Sequence, residues 1–155
     1  MILLIQRVSE AIVRVDNEIV GQIGPGLLAF VAVEPRDDDA TARRLVERAV
    51  NYRVFGDDAG RMNLSLADTG GELLLVSQFT LAADTRKGLR PSFTTAAAPE
   101  PGRRLFERVV EYARATLPGK VATGRFGADM KVAFVNDGPV TFWLRFSAAT
   151  ATEST

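Results

Sequence analysis

The chain has 155 residues, of which 46% are apolar and 25% charged, and its 19 basic and 19 acidic side chains leave no net charge. This length and composition predict a globular chain with one domain, and the zero net charge argues against a protein that binds by coating a long stretch of phosphate backbone. The chain has neither histidine nor cysteine, which excludes disulfides, thiolate nucleophiles, cysteine-based zinc sites and the Ser-His-Asp triad.

Hydrolytic chemistry in such a chain must use carboxylates, hydroxyls, lysine, tyrosine, backbone groups or the substrate itself. A metal site made only of carboxylates stays open in principle, but no acidic cluster follows a recognisable loop pattern such as an EF-hand. We therefore expect neither a metal ion nor another cofactor.

The first third of the chain is typical of β-structure. The segments 2–8, 11–15 and 18–23 are apolar or partly alternating, and Asp16-Asn17 indicates a hairpin turn between the second and the third. After Gly24-Pro25-Gly26, residues 27–33 form a continuous apolar run, which predicts a strand buried on both faces.

Two segments have the apolar spacing of an amphipathic helix. The first follows the acidic triplet 37–39, which suits a helix N-terminus, and repeats its apolar residues through Val50. The second begins at Pro99, a residue favoured in the first helical turn, and ends before Pro118-Gly119.

The remaining segments add strands and loops. A buried strand is predicted at 72–76 and an irregular stretch at 82–98. Two further strands are predicted at 130–135 and 140–146. We predict one α+β domain over residues 1–147, with a curved, mainly antiparallel sheet or open barrel backed by two amphipathic helices, and a disordered tail at 148–155.

No apolar run approaches the length of a membrane span or of a signal-peptide core, so we expect no membrane contact and a cytoplasmic protein. Two local clusters of basic residues are candidates for contact with one end of a nucleic acid, the alternative being solvated surface charge. They are Arg86, Lys87 and Arg90 in a loop, and Arg103, Arg104 and Arg108 at a helix start.

Three motifs stand out, although each has an ordinary structural explanation. Ser77-Gln78-Phe79-Thr80 follows a buried strand and fits a strand end where polar groups reach water. Asn136-Asp137-Gly138-Pro139 fits a hairpin turn between two strands. Phe126-Gly127-Ala128-Asp129-Met130 fits a loop that enters a strand.

Taken together and in order, these motifs resemble the D-aminoacyl-tRNA deacylase (D-tyrosyl-tRNA deacylase) family, and the resemblance extends over residues 1–146. The Ser77–Leu81 block favours the standard bacterial and eukaryotic type of the family. The blocks that carry the resemblance are 6–9, 26–28, 53–55, 62–63, 76–81, 87–93, 123–130 and 136–141.

The resemblance implies hydrolysis of the ester bond of D-aminoacyl-tRNA and of mischarged glycyl-tRNA, with rejection of L-aminoacyl substrates. It implies binding of the tRNA 3′ end by a homodimer. In that dimer, a cis Gly138-Pro139 peptide of each subunit enters the pocket of the other and acts as a chiral gate.

The resemblance also assigns the site residues. The catalytic group is Ser77, Gln78, Phe79 and Thr80, and the backbone N–H groups of Phe79 and Thr80 are expected to stabilise the oxyanion. The ribose 2′-OH of the terminal adenosine is expected to help the attacking water. Substrate binding and the chiral gate are assigned to Gly138, Pro139, Phe126, Met130 and Asn136, with ordinary core packing as the alternative for Phe79, Phe126 and Met130.

Three other functions compete with this interpretation. A related editing deacylase would remove a noncognate L-amino acid from tRNA. A non-catalytic module would bind the tRNA end without chemistry. A metabolic hydrolase of a small ester would have to replace both the missing histidine and the 2′-OH.

Overall fold

One long strand organises the molecule, whose computed structural model describes residues 1–148. The first half of this strand pairs with one neighbour and the second half with another, while a second long strand runs antiparallel along its other edge. In chain order the elements are β1 (Ile2–Val15), β2 (Glu18–Ile23), β3 (Gly26–Ala32), α1 (Asp39–Asn51), β4 (Phe55–Gly56), β5 (Met62–Leu64), α2 (Leu66–Thr69), β6 (Glu72–Ser77), a 3₁₀ turn (Phe79–Ala82), α3 (Pro99–Thr116), β7 (Val121–Thr123) and β8 (Lys131–Arg145).

The predicted α+β class and curved sheet are confirmed. The main sheet has the order β2-β1-β3-β6-β7, with β8 paired to β1, and it curves into a nearly closed barrel. The pairs that β1 makes are antiparallel, whereas β6 and β7 join the far side in parallel. The two predicted helices correspond to α1 and α3, and a short third helix, α2, is added.

The apolar runs in the centre of the sheet are buried on both faces, as predicted for residues 27–33. Leu27 and Leu73 pack in the core beneath α1 and α3. Their chain neighbours Leu28 and Leu74 point the other way, into a second core inside the curved sheet. This alternation follows from the two-residue period of a strand, and it explains why these runs contain no polar positions.

The prediction of separate strands at 2–8 and 11–15 is wrong, because β1 is continuous from Ile2 to Val15. The adjacent residues Ser9 and Glu10 are both exposed, which interrupts the alternation of buried positions. The register with β8 shifts on each side of Val8. Such irregularities bend a strand, so the apparent break in the sequence pattern is a bend rather than an end.

Both long helices begin where the sequence indicates. The Asp38 carboxylate accepts a hydrogen bond from the Thr41 N–H at 2.8 Å, which caps α1. Pro99 begins α3 without a side-chain cap. No helix within residues 1–148 combines the length and the apolar character needed to cross a bilayer. Of the predicted tail, Ala148 has no regular structure, and residues 149–155 lie outside the described part of the chain.

Candidate active site

The first part of the candidate site is the end of β6, where the chain leaves the sheet. Residues 73–76 are buried, and the Gln78 N–H still donates to the Val31 carbonyl of β3 at 2.8 Å. The backbone then turns into the 3₁₀ segment, and the Phe79 side chain is left 57% exposed. The predicted strand end at Ser77 is therefore also the entrance to a cleft.

Two backbone donors are left unpaired at this turn. Within residues 1–148, the N–H groups of Phe79 and Thr80 have no hydrogen-bond acceptor, whereas those of Leu81 and Ala83 donate to Gln78 and Thr80 carbonyls at 3.3 and 3.2 Å. The first N–H groups of a helical turn have no partner inside that turn. Adjacent free donors of this kind can bind a developing oxyanion.

The Thr80 hydroxyl is already engaged, since the Gln78 side-chain amide donates a hydrogen bond to Thr80 Oγ1. An amide is not a base, so this contact orients the hydroxyl without activating it as a nucleophile. Both side chains belong to the predicted catalytic group, and the structure brings them together.

Two cavities open on either side of Phe79 and share a wall. Their volumes are about 470 and 260 Å³. The larger one extends towards residues 93–99 and the start of α3, and the smaller one towards residues 128–132. Neither is lined by an ionisable side chain. The shared wall consists of Ser77, Gln78, Phe79, Phe126 and Gly127.

Phe126 and Met130 combine a packing role with a place in the cleft. The Phe126 ring lies 6.0 Å from the Phe106 ring and 4.9 Å from the Arg103 guanidinium carbon. Met130 packs closely over Gly124, where an added Cβ would lie 2.6 Å from the Met130 sulfur. Each of the two side chains therefore packs against the protein on one side and lines a cavity on the other.

The second part of the candidate site is a bulge in β8. Thr141 pairs with Gln6 and Asn136 pairs with Val8, so the chain advances five residues along β8 where it advances only two along β1. Both flanks of the bulge run in the same direction along β1, and the hairpin-turn interpretation of residues 136–139 is therefore wrong. The Gly138–Pro139 peptide bond within the bulge is cis, as the resemblance implies.

Arg7 holds one side of the bulge. Its Nε donates to the Asp137 carbonyl at 2.8 Å, and its Nη1 donates to the Val54 carbonyl at 2.7 Å. The Asp137 carboxylate lies 3.8 Å from the same Nε, and only 18% of the Arg7 side chain is exposed. A largely buried guanidinium thus ties the bulge to the segment before β4.

Asn136 holds the other side. Its Oδ1 accepts a hydrogen bond from the Val140 N–H at 2.7 Å, and its Nδ2 donates to Gln6 Oε1 at 3.1 Å and to Thr141 Oγ1 at 3.0 Å. Asn136 therefore bridges the two ends of the bulge, which is a positioning role rather than a direct place in the cleft.

The predicted site residues fall into two groups. Ser77, Gln78, Phe79, Phe126 and Met130 line the smaller cavity, and Thr80 follows in the adjoining turn. The residues of the predicted chiral gate lie on the β8 bulge and line neither cavity. Within one chain, the structure does not bring the gate to the cleft.

Sequence reasoning assigned no role to Arg7, Gln6 or Phe93. A basic residue that follows the apolar run 2–5 after Gln6 was the available signal for Arg7, but its partner Asp137 lies 130 residues away. The Phe93 ring packs against Phe79 at 5.1 Å, and nothing in the local pattern indicated that contact. Residues 1–148 contain no cluster of three or more Asp or Glu side chains suited to hold a metal ion.

Comparison with known proteins is consistent with this geometry. A model of the D-Tyr-tRNA(Tyr) deacylase family matches residues 4–145. A D-aminoacyl-tRNA deacylase of Stenotrophomonas maltophilia strain K279a is 66% identical over 145 residues, which cover 94% of this chain and 99% of the relative. One from Xanthomonas axonopodis pv. citri is 65% identical with the same coverage.

Two solved structures are also similar. A c-Myc DNA unwinding element binding protein superposes with a TM-score of 0.91 at 35% identity, and the match covers 96% of this chain and 100% of that one. A probable eukaryotic D-amino acid tRNA deacylase superposes with a TM-score of 0.82 and covers 92% of this chain and 97% of its own. At 18% identity the second match shows a shared fold.

Proposed function

The chain belongs to the D-Tyr-tRNA(Tyr) deacylase family and hydrolyses the ester bond of D-aminoacyl-tRNA, and from this premise we propose how its cleft performs the reaction. The proposal rests on one observation. The cleft offers two free backbone donors, at Phe79 and Thr80, and no ionisable side chain lines its cavities. Catalysis therefore relies on backbone geometry and on the substrate.

In the proposed reaction, water attacks the ester carbonyl carbon, and the carbonyl oxygen becomes an oxyanion that accepts hydrogen bonds from the Phe79 and Thr80 N–H groups. The bond between that carbon and the ribose oxygen then breaks. The OH of the water becomes part of the amino acid's carboxyl group, its remaining proton goes to the leaving ribose oxygen, and the products are the free amino acid and tRNA. Loss of one oxyanion donor typically costs about 10²–10³ in rate, so this contribution is large.

The substrate itself helps the attacking water, since the described residues that line the cleft include no base. The 2′-OH of the terminal adenosine is adjacent to the ester, and in the bound state it orients the attacking water. The absence of histidine from the sequence and of carboxylates from the cavity walls supports this role. The Thr80 hydroxyl, held by Gln78, acts as a structural contact.

Chiral selection is assigned to the bulge of a second copy of the chain. Gly138 and Pro139 are exposed, line neither cavity of their own chain, and lie between the anchors Arg7 and Asn136. In the proposed homodimer they enter the partner's cleft, where their carbonyls hold the substrate's α-ammonium group. An L side chain would then meet this wall, whereas a D side chain would point away from it and glycine has no side chain to reject.

Exposed apolar side chains on β8 support the dimer. Phe134, Val135 and Trp143 flank the bulge and are 37%, 50% and 53% exposed. Exposed large apolar side chains grouped around one feature of a surface are typical of a protein interface. We expect a dimer in light scattering and a monomer after Trp143→Glu, and a fully active monomeric wild-type protein would contradict the shared site.

The test of the function is a deacylation assay that pairs D-Tyr-tRNA, L-Tyr-tRNA and Gly-tRNA. We expect rapid hydrolysis of the D and glycyl substrates and no enzyme-dependent hydrolysis of the L substrate. This is the specificity that the proposed role, proofreading in the cytoplasm, requires. Preferred hydrolysis of an L-aminoacyl-tRNA would favour an editing enzyme of another specificity. Binding without hydrolysis of any substrate would favour a non-catalytic module.

A further inference from the structure

A basic loop with a defined shape lies next to the larger cavity. Its two ends are joined by hydrogen bonds between the backbones of Asp84 and Ser92, at 2.8 and 3.0 Å. Gly88, at the turn, has a φ of +70° and open space around the position of a Cβ. Since a left-handed φ strains most side chains, glycine at this position lets the loop close tightly. We call residues 84–92 the basic loop.

The basic loop is fixed to the catalytic turn. Phe93 follows it directly and packs edge-on against Phe79, with 5.1 Å between the ring centres. The Thr95 hydroxyl donates to the Ala82 carbonyl at 2.5 Å. Phe93 and Thr94 also line the larger cavity, so whatever the basic loop binds lies close to the ligand of that cavity.

The three cations of the basic loop differ in how they are used. Arg86 is paired with Asp84 through two hydrogen bonds of 2.9 and 2.7 Å, which lower the pKa of Asp84 to about 2. Within residues 1–148, Lys87 and Arg90 form no ion pair or hydrogen bond to another side chain. Between them, Leu89 is fully exposed and packs against nothing.

The other basic cluster at the start of α3 is different. Arg108 is bound to Asp39 of α1 and to Glu111 and Tyr112 of its own helix, and the contact with Asp39 ties α3 to α1. Arg103 stacks over Phe126. The explanation of a paired charge therefore fits Arg108, and Arg104 is exposed on the helix, outside the loop, whereas the basic loop keeps two cations available beside the larger cavity.

We propose that Lys87 and Arg90 bind phosphates of the single-stranded 3′ end of the tRNA whose terminal aminoacyl-adenosine occupies the cleft, and that Leu89 contacts a base of the same strand. The proposal deepens the proposed function and rests on it. Because the whole chain has no net charge, attraction of a polyanion requires a local patch of this kind. Each phosphate contact also releases counterions, which makes binding sensitive to salt.

The test compares two substrates that share the reacting ester. D-Tyr-tRNA carries the 3′ strand, whereas 3′-O-(D-tyrosyl)adenosine has no phosphate. For the double variant Lys87→Ala/Arg90→Ala, we expect kcat/KM on the tRNA substrate to fall on the order of tenfold. Hydrolysis of the adenosine ester should stay at the wild-type rate.

Salt dependence provides a second readout. Two contacts to a single strand contribute about 1.4 to the slope of log(kcat/KM) against log of salt concentration, and the double variant should lose that amount. Lys87→Arg keeps a cation and should behave as wild type. Arg114→Ala is the matched control, because Arg114 is exposed near the far end of α3, about 22 Å along the helix from Pro99.

The outcomes separate this proposal from the proposed function. Equal losses on both substrates would mean that the basic loop shapes the cleft rather than binding phosphate. No loss on the tRNA substrate, or the same loss in Arg114→Ala, would also overturn the proposal. A wild-type protein inactive on both substrates would instead contradict the proposed function, and the phosphate contacts with it.

Discussion

The end of β6 and the bulge of β8 are both interruptions of the sheet, yet they treat their backbone polar groups in opposite ways. At Phe79 and Thr80 two N–H groups are left without partners in the described chain. At the bulge, the Asp137 carbonyl and the Val140 N–H are each bound by a side chain, from Arg7 and Asn136. The first segment is open to a ligand and the second is fixed against movement.

This difference suits the two tasks proposed for a chain without histidine or cysteine, which are catalysis at the cleft and substrate discrimination at the bulge. Free donors at the cleft gain most when an oxyanion forms, because charge-assisted hydrogen bonds are stronger than neutral ones. A fixed wall, in contrast, discriminates by shape only if it does not yield to the wrong substrate. Substitutions that change one region at a time separate the two roles.

The largest effect is expected from removing a donor at the cleft. Thr80→Pro eliminates the Thr80 N–H at a position in a first helical turn where proline is tolerated, and it should lower kcat by about 10²–10³-fold. Thr80→Ala keeps the N–H and should retain activity within about tenfold of wild type. Single-turnover deacylation, with circular dichroism to check the fold, measures both.

This pair also tests the hydroxyl directly. Complete loss of activity in a folded Thr80→Ala protein, or a trapped acyl-Thr80 intermediate, would show that the side chain is the nucleophile and that the backbone account of the cleft is wrong.

The next largest effect is expected from changing the shape of the β8 bulge at Gly138. A Cβ at Gly138 would lie 2.6 Å from the Val140 nitrogen, so Gly138→Ala must displace the bulge. We expect the ratio of D to L deacylation rates to fall by at least about tenfold, the scale of discrimination by shape. Gly56→Ala is the control, because nothing lies within 4 Å of its Cβ position. An unchanged D/L ratio in Gly138→Ala would remove the bulge from chiral selection.

A smaller effect is expected from removing a side chain that anchors the β8 bulge while the residues of the bulge stay the same. Arg7→Ala leaves the carbonyls of Asp137 and Val54 without their donor, and the free energy of unfolding should fall by about 1–3 kcal/mol. Urea denaturation measures the loss, and the D/L ratio should fall with it. Arg14→Ala, which removes an arginine without a side-chain partner in residues 1–148, should change stability by less than about 0.5 kcal/mol.

The smallest effect is a difference in acid response. The bond to Arg86 holds the pKa of Asp84 at about 2, below its ordinary value of 3.8. Because the folded pKa is depressed, the stabilisation is present above pH 3.8 and is lost as the pH falls towards 2. The protection of the Asp84 and Ser92 amides, measured as exchange relative to the intrinsic rate at each pH, should fall in this window, while protection of Val140, whose N–H is held by a neutral amide, should change less. An equal loss of protection at Val140 would show that the ion pair of the loop is not what the acid removes.

Much of the fold could be predicted from sequence because it depends on local periodicity. The run at 27–33 indicated a strand buried on both faces, the run at 72–76 indicated a buried strand, and the acidic triplet 37–39 and Pro99 indicated helix starts. The division of β1 was predicted wrongly, since exposed residues at a bend look the same as a strand end in the sequence.

The candidate site was predictable only in part. The residues around Phe79 and Phe126 were found through the family resemblance, and the cavities bring them together. The roles of Arg7 and Gln6 could not be found, because they depend on contacts with residues 130 positions away. The bulge also looked like a hairpin turn, since Asp-Gly is common in both.

The central claim is that backbone donors and the substrate's own 2′-OH perform the chemistry, and one measurement tests it most directly. Single-turnover hydrolysis is compared for D-Tyr-tRNA ending in adenosine and in 2′-deoxyadenosine, each carrying the amino acid on the 3′ oxygen. The account predicts that the deoxy substrate binds normally but is hydrolysed about 10²-fold or more slowly, the usual scale of a lost catalytic group. Hydrolysis of both substrates at the same rate would contradict it.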